Sequence, residues 1–255
     1  MTLERFEKGS TPSYFFQSAT QKYLFASKHI KGAKILDIAC GTGYGTNIMF
    51  ERHPEFQFFG CDIDEQAITY AKRRYQKQIQ FKNCDAYSIT FPDSFFDTVV
   101  SFETLEHLKN GQSFIKEIKR ILKSDGYLIC STPNRHFGER LGSTKEKPFN
   151  PHHVSLYYYD EFHDLLASSF QHVKIFGQTE TGADFFYKFP AFYRFYRRIK
   201  PIILPLLTHS SSKSEIVIPE KPNPKFEPKP FWKSAYYLLA IASDMPINSK
   251  TQRTD

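Results

Sequence analysis

Three carboxylates stand at the ends of three successive apolar runs in this chain, and together they describe a ligand site. Asp37 lies inside Ile35-Leu36-Asp37-Ile38-Ala39-Cys40-Gly41-Thr42-Gly43, an apolar stretch that breaks into a small-residue turn. Gly45 and an apolar helix start at Ile48 and Met49 follow it. A buried parallel strand running into such a turn lets the backbone approach a ligand closely. Asp62 closes the second run, 19 residues after Gly43, near the spacing at which an acid accepts hydrogen bonds from ribose hydroxyls. Asp85, followed by Ala86, closes the third. Ligands of open α/β sheets bind beyond the carboxyl ends of the strands. The three acids therefore line one crevice, suited to an ammonium group, ribose hydroxyls and an adenine amine. A phosphate site would reject Asp37. A NAD enzyme would use only Asp62, and the fingerprint GxGxxG is not met by the evenly spaced Gly41, Gly43 and Gly45.

The groups able to move a proton lie further along. Glu106-His107 follows the fourth apolar run, and an imidazole with a pKa near ~6.5 accepts a proton at neutral pH. The pair either serves the chemistry or only fixes its loop. His153 is the competing base, with His152 its solvent-side neighbour. His29, His53, His136, His163, His172 and His209 have no convergent partners in the sequence. Cys40, Cys61, Cys84 and Cys130 lack CxxC spacing and fall in or at the end of strands, as buried reduced thiols do. No metal site is expected.

The positioning elements follow from the apolar pattern. Residues 13–30 read as a helix, with a first strand from Ile35 ending in Ala39-Cys40-Gly41 and further strands at 56–61, 79–81, 98–102, 127–130 and 173–176. Asp64 and Asp160 are expected to cap helices. The helix bearing Phe114, Ile115, Ile118, Ile121 and Leu122 is expected to stop at Ser124-Asp125-Gly126. Residues 235–242 return as a last strand. Strands alternating with helices predict a Rossmann-like, doubly wound, mainly parallel sheet of seven strands. Residues 1–178 and 232–247 form that domain, 179–231 an insertion, and 248–255 a disordered tail. Hydrophobic content of 40%, no apolar run near the ~20 residues of a membrane helix and an N-terminus without an apolar core place the chain in the cytoplasm. A net charge of +7 admits an anionic partner without choosing one.

The string ILDIACGTG resembles the first motif of class I S-adenosylmethionine-dependent methyltransferases. The segments GCDIDEQAI, FPDSFFDTVVSFETLEHL, IKEIKRILKSDGYLICSTPN and NPHHVSLYYYDEFHDLL extend the likeness over residues 20–178. They resemble a bacterial subgroup associated with glycan and lipopolysaccharide synthesis. The resemblance implies S-adenosyl-L-methionine as cofactor, held by Asp37, Ala39, Gly41, Gly43, Asp62, Ile63, Asp85, Ala86 and Phe102. It puts the Glu106-His107 pair over the methyl group. Ala39 stands where a first glycine is usual, and Ser155-Leu156 replaces a common Arg-Glu. The Asn/Asp-Pro-Pro-aromatic stretch of enzymes acting on base amines is absent after the fourth strand, which leaves hydroxyl methylation as the economical reaction. A sugar or lipid-linked glycan is the expected acceptor. A quinone-type or other lipophilic phenol, and a non-catalytic cofactor-fold protein, are the alternatives.

Residues 185–207 break the rhythm. Phe185, Phe186, Tyr187, Phe189, Phe192, Tyr193, Phe195 and Tyr196 are interleaved with Lys188, Arg194, Arg197, Arg198 and Lys200, ending in Leu206-Leu207. The stretch reads either as a cap over the acceptor pocket or as peripheral contact with the inner face of the cytoplasmic membrane. It matches no recognised nucleic-acid-binding pattern. Residues 209–230, rich in Ser, Pro and Lys, read as an extended loop.

Overall fold

Alternate residues of each central strand face opposite layers of helix, and that alternation builds the fold. The computed structural model describes residues 13–75, 78–140, 142, 144, 150–180, 214–217 and 235–247. Strands β1 (Lys34–Ile38), β2 (Gln57–Asp62), β3 (Ile79–Asn83), β4 (Phe96–Ser101) and β5 (Leu122–Pro133) pair in parallel. With β6 (His172–Glu180), β7 (Ser214–Val217) and β8 (Tyr237–Ser243) they form one sheet of order β3-β2-β1-β4-β5-β8-β6-β7. Strand β8 inserts antiparallel between β5 and β6. The expected seven-stranded, mainly parallel sheet is present, and β7 extends it as an antiparallel edge beside β6. That strand falls inside the segment read as an extended loop. Residues 185–207 and 248–255 lie outside the described residues.

Helices α1 (Ser13–His29), α2 (Tyr44–Arg52) and α3 (Glu65–Arg74) cover one face. Tyr23, Ala26, Met49, Ile68 and Ala71 pack there on Ile35, Phe58, Val100 and Ile129. On the other face α4 (Gly111–Ile121) sets Phe114, Ile115 and Ile118 against Leu36, Val99 and Leu128. A short α5 (Arg135–Arg140) follows β5, and α6 (Tyr159–Ala167) adds Phe162 and Leu166 to the second layer. Burial of each such side chain contributes about 1.5–3 kcal/mol. All four cysteines are buried and free, as expected. Among the described residues, no helix is long and apolar enough to cross a membrane.

Two element ends differ from expectation. Helix α4 stops at Ile121, where Ser94 N and Phe95 N donate to Arg120 O and Ile121 O. Leu122 already pairs with Phe96, and the ladder then shifts so that Thr98 faces Tyr127. Ser124-Asp125-Gly126 is thus a bulge inside β5 and no helix terminus. Its glycine serves close packing, since a Cβ there would lie 3.0 Å from Lys123 O and 3.1 Å from Asp97 O. At α6, Asp160 sits in the first turn and does not cap; Glu161 Oε2 instead accepts from Tyr158 N at 3.0 Å. An acid in the first turn still favours the helix dipole. Asp64 does cap α3, accepting from Gln66 N and Ala67 N.

Phe114 has no exposed surface and joins α4 to the sheet. Phe114→Ala is expected to lower the unfolding free energy by about 3–5 kcal/mol. Urea denaturation followed by circular dichroism measures it.

Candidate active site

The sheet order reverses between β1 and β4, and the turns after β1 and β2 gather at the carboxyl edge beside that switch. Asp37 points to the α1–α2 side and is wholly buried. Its Oδ2 accepts from Thr46 Oγ1 at 2.6 Å, while Oδ1 has no hydrogen-bond partner among the described residues. Burial pushes its carboxyl up to about 7; Thr46 and Tyr23 pull the other way, and the charge of Asp62 adds to the rise. A buried carboxylate with one orphaned oxygen is a receptor for a cationic group.

The turn after Asp37 takes left-handed backbone at every second residue: φ is 61° at Ala39, 54° at Gly41 and 78° at Gly43. Ala39 fills the first-glycine position at a backbone cost of about 1–2 kcal/mol. A Cβ on Gly43 would stand 2.6 Å from the Phe81 ring, whereas nothing lies within 4 Å of one on Gly41. The space over Gly41 is open to a ligand.

Asp62 ties the two turns together. Its Oδ2 accepts from Gly41 N at 2.7 Å and its Oδ1 from Asp64 N at 2.8 Å. Burial raises its pKa, against those backbone hydrogen bonds. Asn83 Nδ2 donates to Asp62 O and Ile63 O, which leaves the Ile63 side chain 65% exposed beside the carboxylate. Beyond the end of β3, Asp85 is exposed and accepts from Tyr87 N at 2.8 Å, with Ala86 half-buried next to it. Phe102, buried at the end of β4, meets Tyr23 edge-on at 5.1 Å. Every residue expected at the cofactor site thus lies at or beside the carboxyl edges of β1 to β4. An orphaned oxygen for the ammonium, a satisfied yet lone-pair-rich carboxylate for the ribose, and open space over a glycine turn fit S-adenosylmethionine.

The candidate proton-transfer residues are built on the 3-10 turn Leu105–His107. Glu106 O accepts from Val154 N at 2.8 Å and Ser155 N at 3.0 Å, and Leu108 O accepts from Ser155 Oγ at 2.8 Å. Those bonds dock the segment carrying His153 onto the turn. Ser155, which departs from the family pattern, has this structural role. The His107 and His153 rings meet edge-on with centroids 5.0 Å apart. His107 Nδ1 lies 3.1 Å from His152 O, and because a carbonyl only accepts, that nitrogen carries the proton. In the neutral ring Nε2 of His107 is then the lone-pair nitrogen. Burial, helped by the neighbouring His107, lowers the His153 pKa to about 4, so its imidazole is neutral at pH 7.

Sequence reasoning missed the ion pair beneath this turn. Lys22 of α1 is 2% exposed, lies 2.9 Å from Glu103 Oε1 and stands over the Tyr237 ring. Ser131 Oγ donates to the same Glu103 oxygen at 2.6 Å, and Glu103 holds a φ of 51°. Burial lowers the Lys22 pKa, with Glu103 and Glu106 opposing. A lysine on an otherwise mixed helix gave no sign of this. A surface depression lined by Phe50, Phe56 and Ile79 opens at the opposite, amino ends of β2 and β3 and is no part of the site.

Comparison with known proteins agrees with this geometry. The family model described as "Methyltransferase domain" matches residues 36–130, from β1 into β5. A Mycobacterium tuberculosis protein named a probable S-adenosylmethionine-dependent methyltransferase is 29% identical over 157 residues, 62% of this chain and 55% of that protein. A ubiquinone biosynthesis O-methyltransferase of Azoarcus sp. is 32% identical over 113 residues, 42% of this chain and 47% of that protein. The chain therefore spans about half the length of these curated relatives. A crystal structure of a methyltransferase from Thermotoga maritima superposes with a TM-score of 0.59 at 18% identity, covering 91% of this chain and 93% of that one. At that identity the likeness concerns the fold. Residues 36–130 thus carry a methyltransferase domain, within a chain that has the Rossmann-like fold of methyltransferase structures, and the relatives together with the cradle at the strand ends imply S-adenosylmethionine as the cofactor.

Proposed function

We propose that this chain transfers the sulfonium methyl group of S-adenosylmethionine to a hydroxyl of a sugar or lipid-linked glycan. The observation that carries transfer to oxygen is the imidazole pair His107 and His153, held beyond β4 beside the cofactor turn. Asp37 receives the cofactor's ammonium, Asp62 its ribose hydroxyls and Asp85 its adenine amine. Ala39, Gly41, Gly43, Ile63, Ala86 and Phe102 complete the cofactor surface. Methyl transfer is an in-line displacement, in which the enzyme orients the acceptor oxygen and helps remove its proton. An alcohol needs that help, and His107 Nε2 and the neutral His153 ring offer it. The glycan acceptor is supported by the sequence resemblance alone. A quinone-type phenol is the second reading, favoured by the similarity to a ubiquinone biosynthesis O-methyltransferase. The aromatic and basic composition of residues 185–207 supports peripheral membrane contact, which either lipophilic acceptor would suit.

A screen of purified protein with methyl-labelled cofactor against lipid, polysaccharide and phenol fractions tests the acceptor. Label is expected in the glycan-bearing fractions, and label confined to phenols selects the second reading. Cofactor binding without transfer to any fraction would leave a non-catalytic protein.

Cofactor affinity should depend on pH through Asp37. Its folded pKa of about 7 lies above the ordinary carboxylate value, so the group's contribution to cofactor-free stability is full below about pH 4 and is lost as pH rises through 7. A bound ammonium favours the ionised form. Affinity for S-adenosylmethionine should then rise about tenfold per pH unit toward pH 7 and level off above it. Calorimetry across that range reads the slope, which Asp37→Asn should abolish. Asp62→Ala should cost about 1–3 kcal/mol of affinity at every pH tested.

Turnover should fall about 10²–10⁴-fold in His107→Ala while cofactor affinity holds. An equal loss of cofactor binding would reassign His107 to loop structure. Co-sedimentation should show binding to anionic vesicles above neutral ones, weakened by salt because charges are screened beyond about 10 Å at 0.1 M. Equal, salt-insensitive recovery from both vesicle types would reject membrane contact.

A further inference from the structure

Glu106, His107 and His153 converge. Each offers one ligand atom, and the three atoms lie within 4.8 Å of one another. They arrive from two chain segments 46 residues apart, joined by the paired bonds of Val154 N and Ser155 N to Glu106 O. Glu106 has no exposed surface, so a carboxylate withdrawn from water faces two imidazoles. A second observation is independent of that convergence. His107 donates Nδ1–H to the backbone carbonyl of His152, the arrangement that orients a metal-ligating imidazole and leaves Nε2 for the ion. Beneath the turn, Glu103 is already engaged by Lys22 and Ser131. It is therefore left out of the ligand set.

We propose that Glu106, His107 and His153 bind one divalent first-row cation, zinc or manganese in class, on the acceptor side of the cofactor. Two imidazoles and one carboxylate are a borderline donor set that suits these ions above magnesium or calcium. Metal–ligand distances near 2.1 Å require each ligand atom to move by under about 1 Å from the separations present. Three protein ligands leave coordination open to the acceptor, as catalytic sites do. This step rests on the methyl-transfer reading. The acceptor oxygen binds the cation, which lowers its pKa, and its O–H proton leaves to solvent water. An oxygen lone pair then forms the C–O bond to the methyl carbon. The S–CH3 bond breaks with its electron pair returning to sulfur. In this form the two histidines are ligands, and the cation takes over the work that a free imidazole would do as a base.

The test is equilibrium dialysis of chelator-treated, full-length protein against Zn2+, Mn2+ and Mg2+ separately, with bound metal counted by elemental analysis. One Zn2+ or Mn2+ per chain is expected, with Mg2+ held more weakly. His107→Ala, at an exposed position, should keep the native circular dichroism spectrum and bind the ion at least about 100-fold more weakly. Glu106→Gln should do the same where it folds. Co2+ should give d–d absorption in the wild type that His107→Ala loses. Metal uptake equal in wild type and His107→Ala, or uptake by neither, overturns the proposal. Calorimetry with S-adenosylmethionine on the same samples separates the two readings. Cofactor binding without metal sinks the metal site alone, and metal binding without cofactor supports the site while sinking the methyltransferase assignment.

Discussion

The carboxylate of Asp62 is the tie on which the site depends. It takes one backbone N–H from the turn after β1, at Gly41, and one from the turn after β2, at Asp64. Two loops that would otherwise move separately become one floor. A carboxylate bonded to amides is a charge-assisted acceptor, and each oxygen keeps a lone pair for a ligand hydroxyl. The left-handed residues at 39, 41 and 43 are held against strain by that tie, by Gly43 N bonding to Cys40 O, and by the wall of Phe81. Backbone strain of this kind persists only where the surroundings over-determine it.

The tie also explains why Asp37 and Asp62 can share a site. Two carboxylates near each other in a low-dielectric edge raise one another's pKa, and the Asp62 charge adds to the rise at Asp37. The structure resolves the conflict by giving backbone donors to Asp62 and a single hydroxyl pair, from Thr46 and Tyr23, to Asp37. Asp62 is thereby pre-formed, and on the proposed reading Asp37 is completed by the cofactor's ammonium. The glycine at 45 belongs to the same design. A Cβ there would fall 2.0 Å from the Tyr23 ring, so its absence lets α1 bring that hydroxyl to Asp37.

The placement of the proposed cofactor residues at one edge was legible in the sequence because buried parallel strands announce themselves as apolar runs, and the residues at and just past their ends fall together. Asp37, Asp62 and Asp85 needed only that rule. The end of α4 was not legible for the opposite reason. Ser124-Asp125-Gly126 carries a helix-stop composition, but the pairing of Leu122 with Phe96 captured the chain one turn earlier. Tertiary pairing outweighed a local signal. Strand β7 offers only the short apolar run Ile216-Val217-Ile218 to announce it, and its ladder partner on β6 lies 34 residues away at the closest pair, Glu180 with Ser214.

The proposed acceptor half follows a different logic, since His107 and His153 come from segments with no common periodicity. What joins them is the main chain of Glu106. Its carbonyl takes two amides of the 150–158 segment, while its side chain sits with the two imidazoles. One residue thus fixes both the loop and the donor set. The proposed donor half grows from strand ends, whereas the proposed acceptor half is a loop docked by four hydrogen bonds, from Val154 N, Ser155 N and Ser155 Oγ and to His152 O. In-line transfer needs both halves in register along one axis. Glu106, five residues beyond the end of β4, is where the two meet: its carbonyl holds the segment that carries His153 to the chain that leaves the sheet.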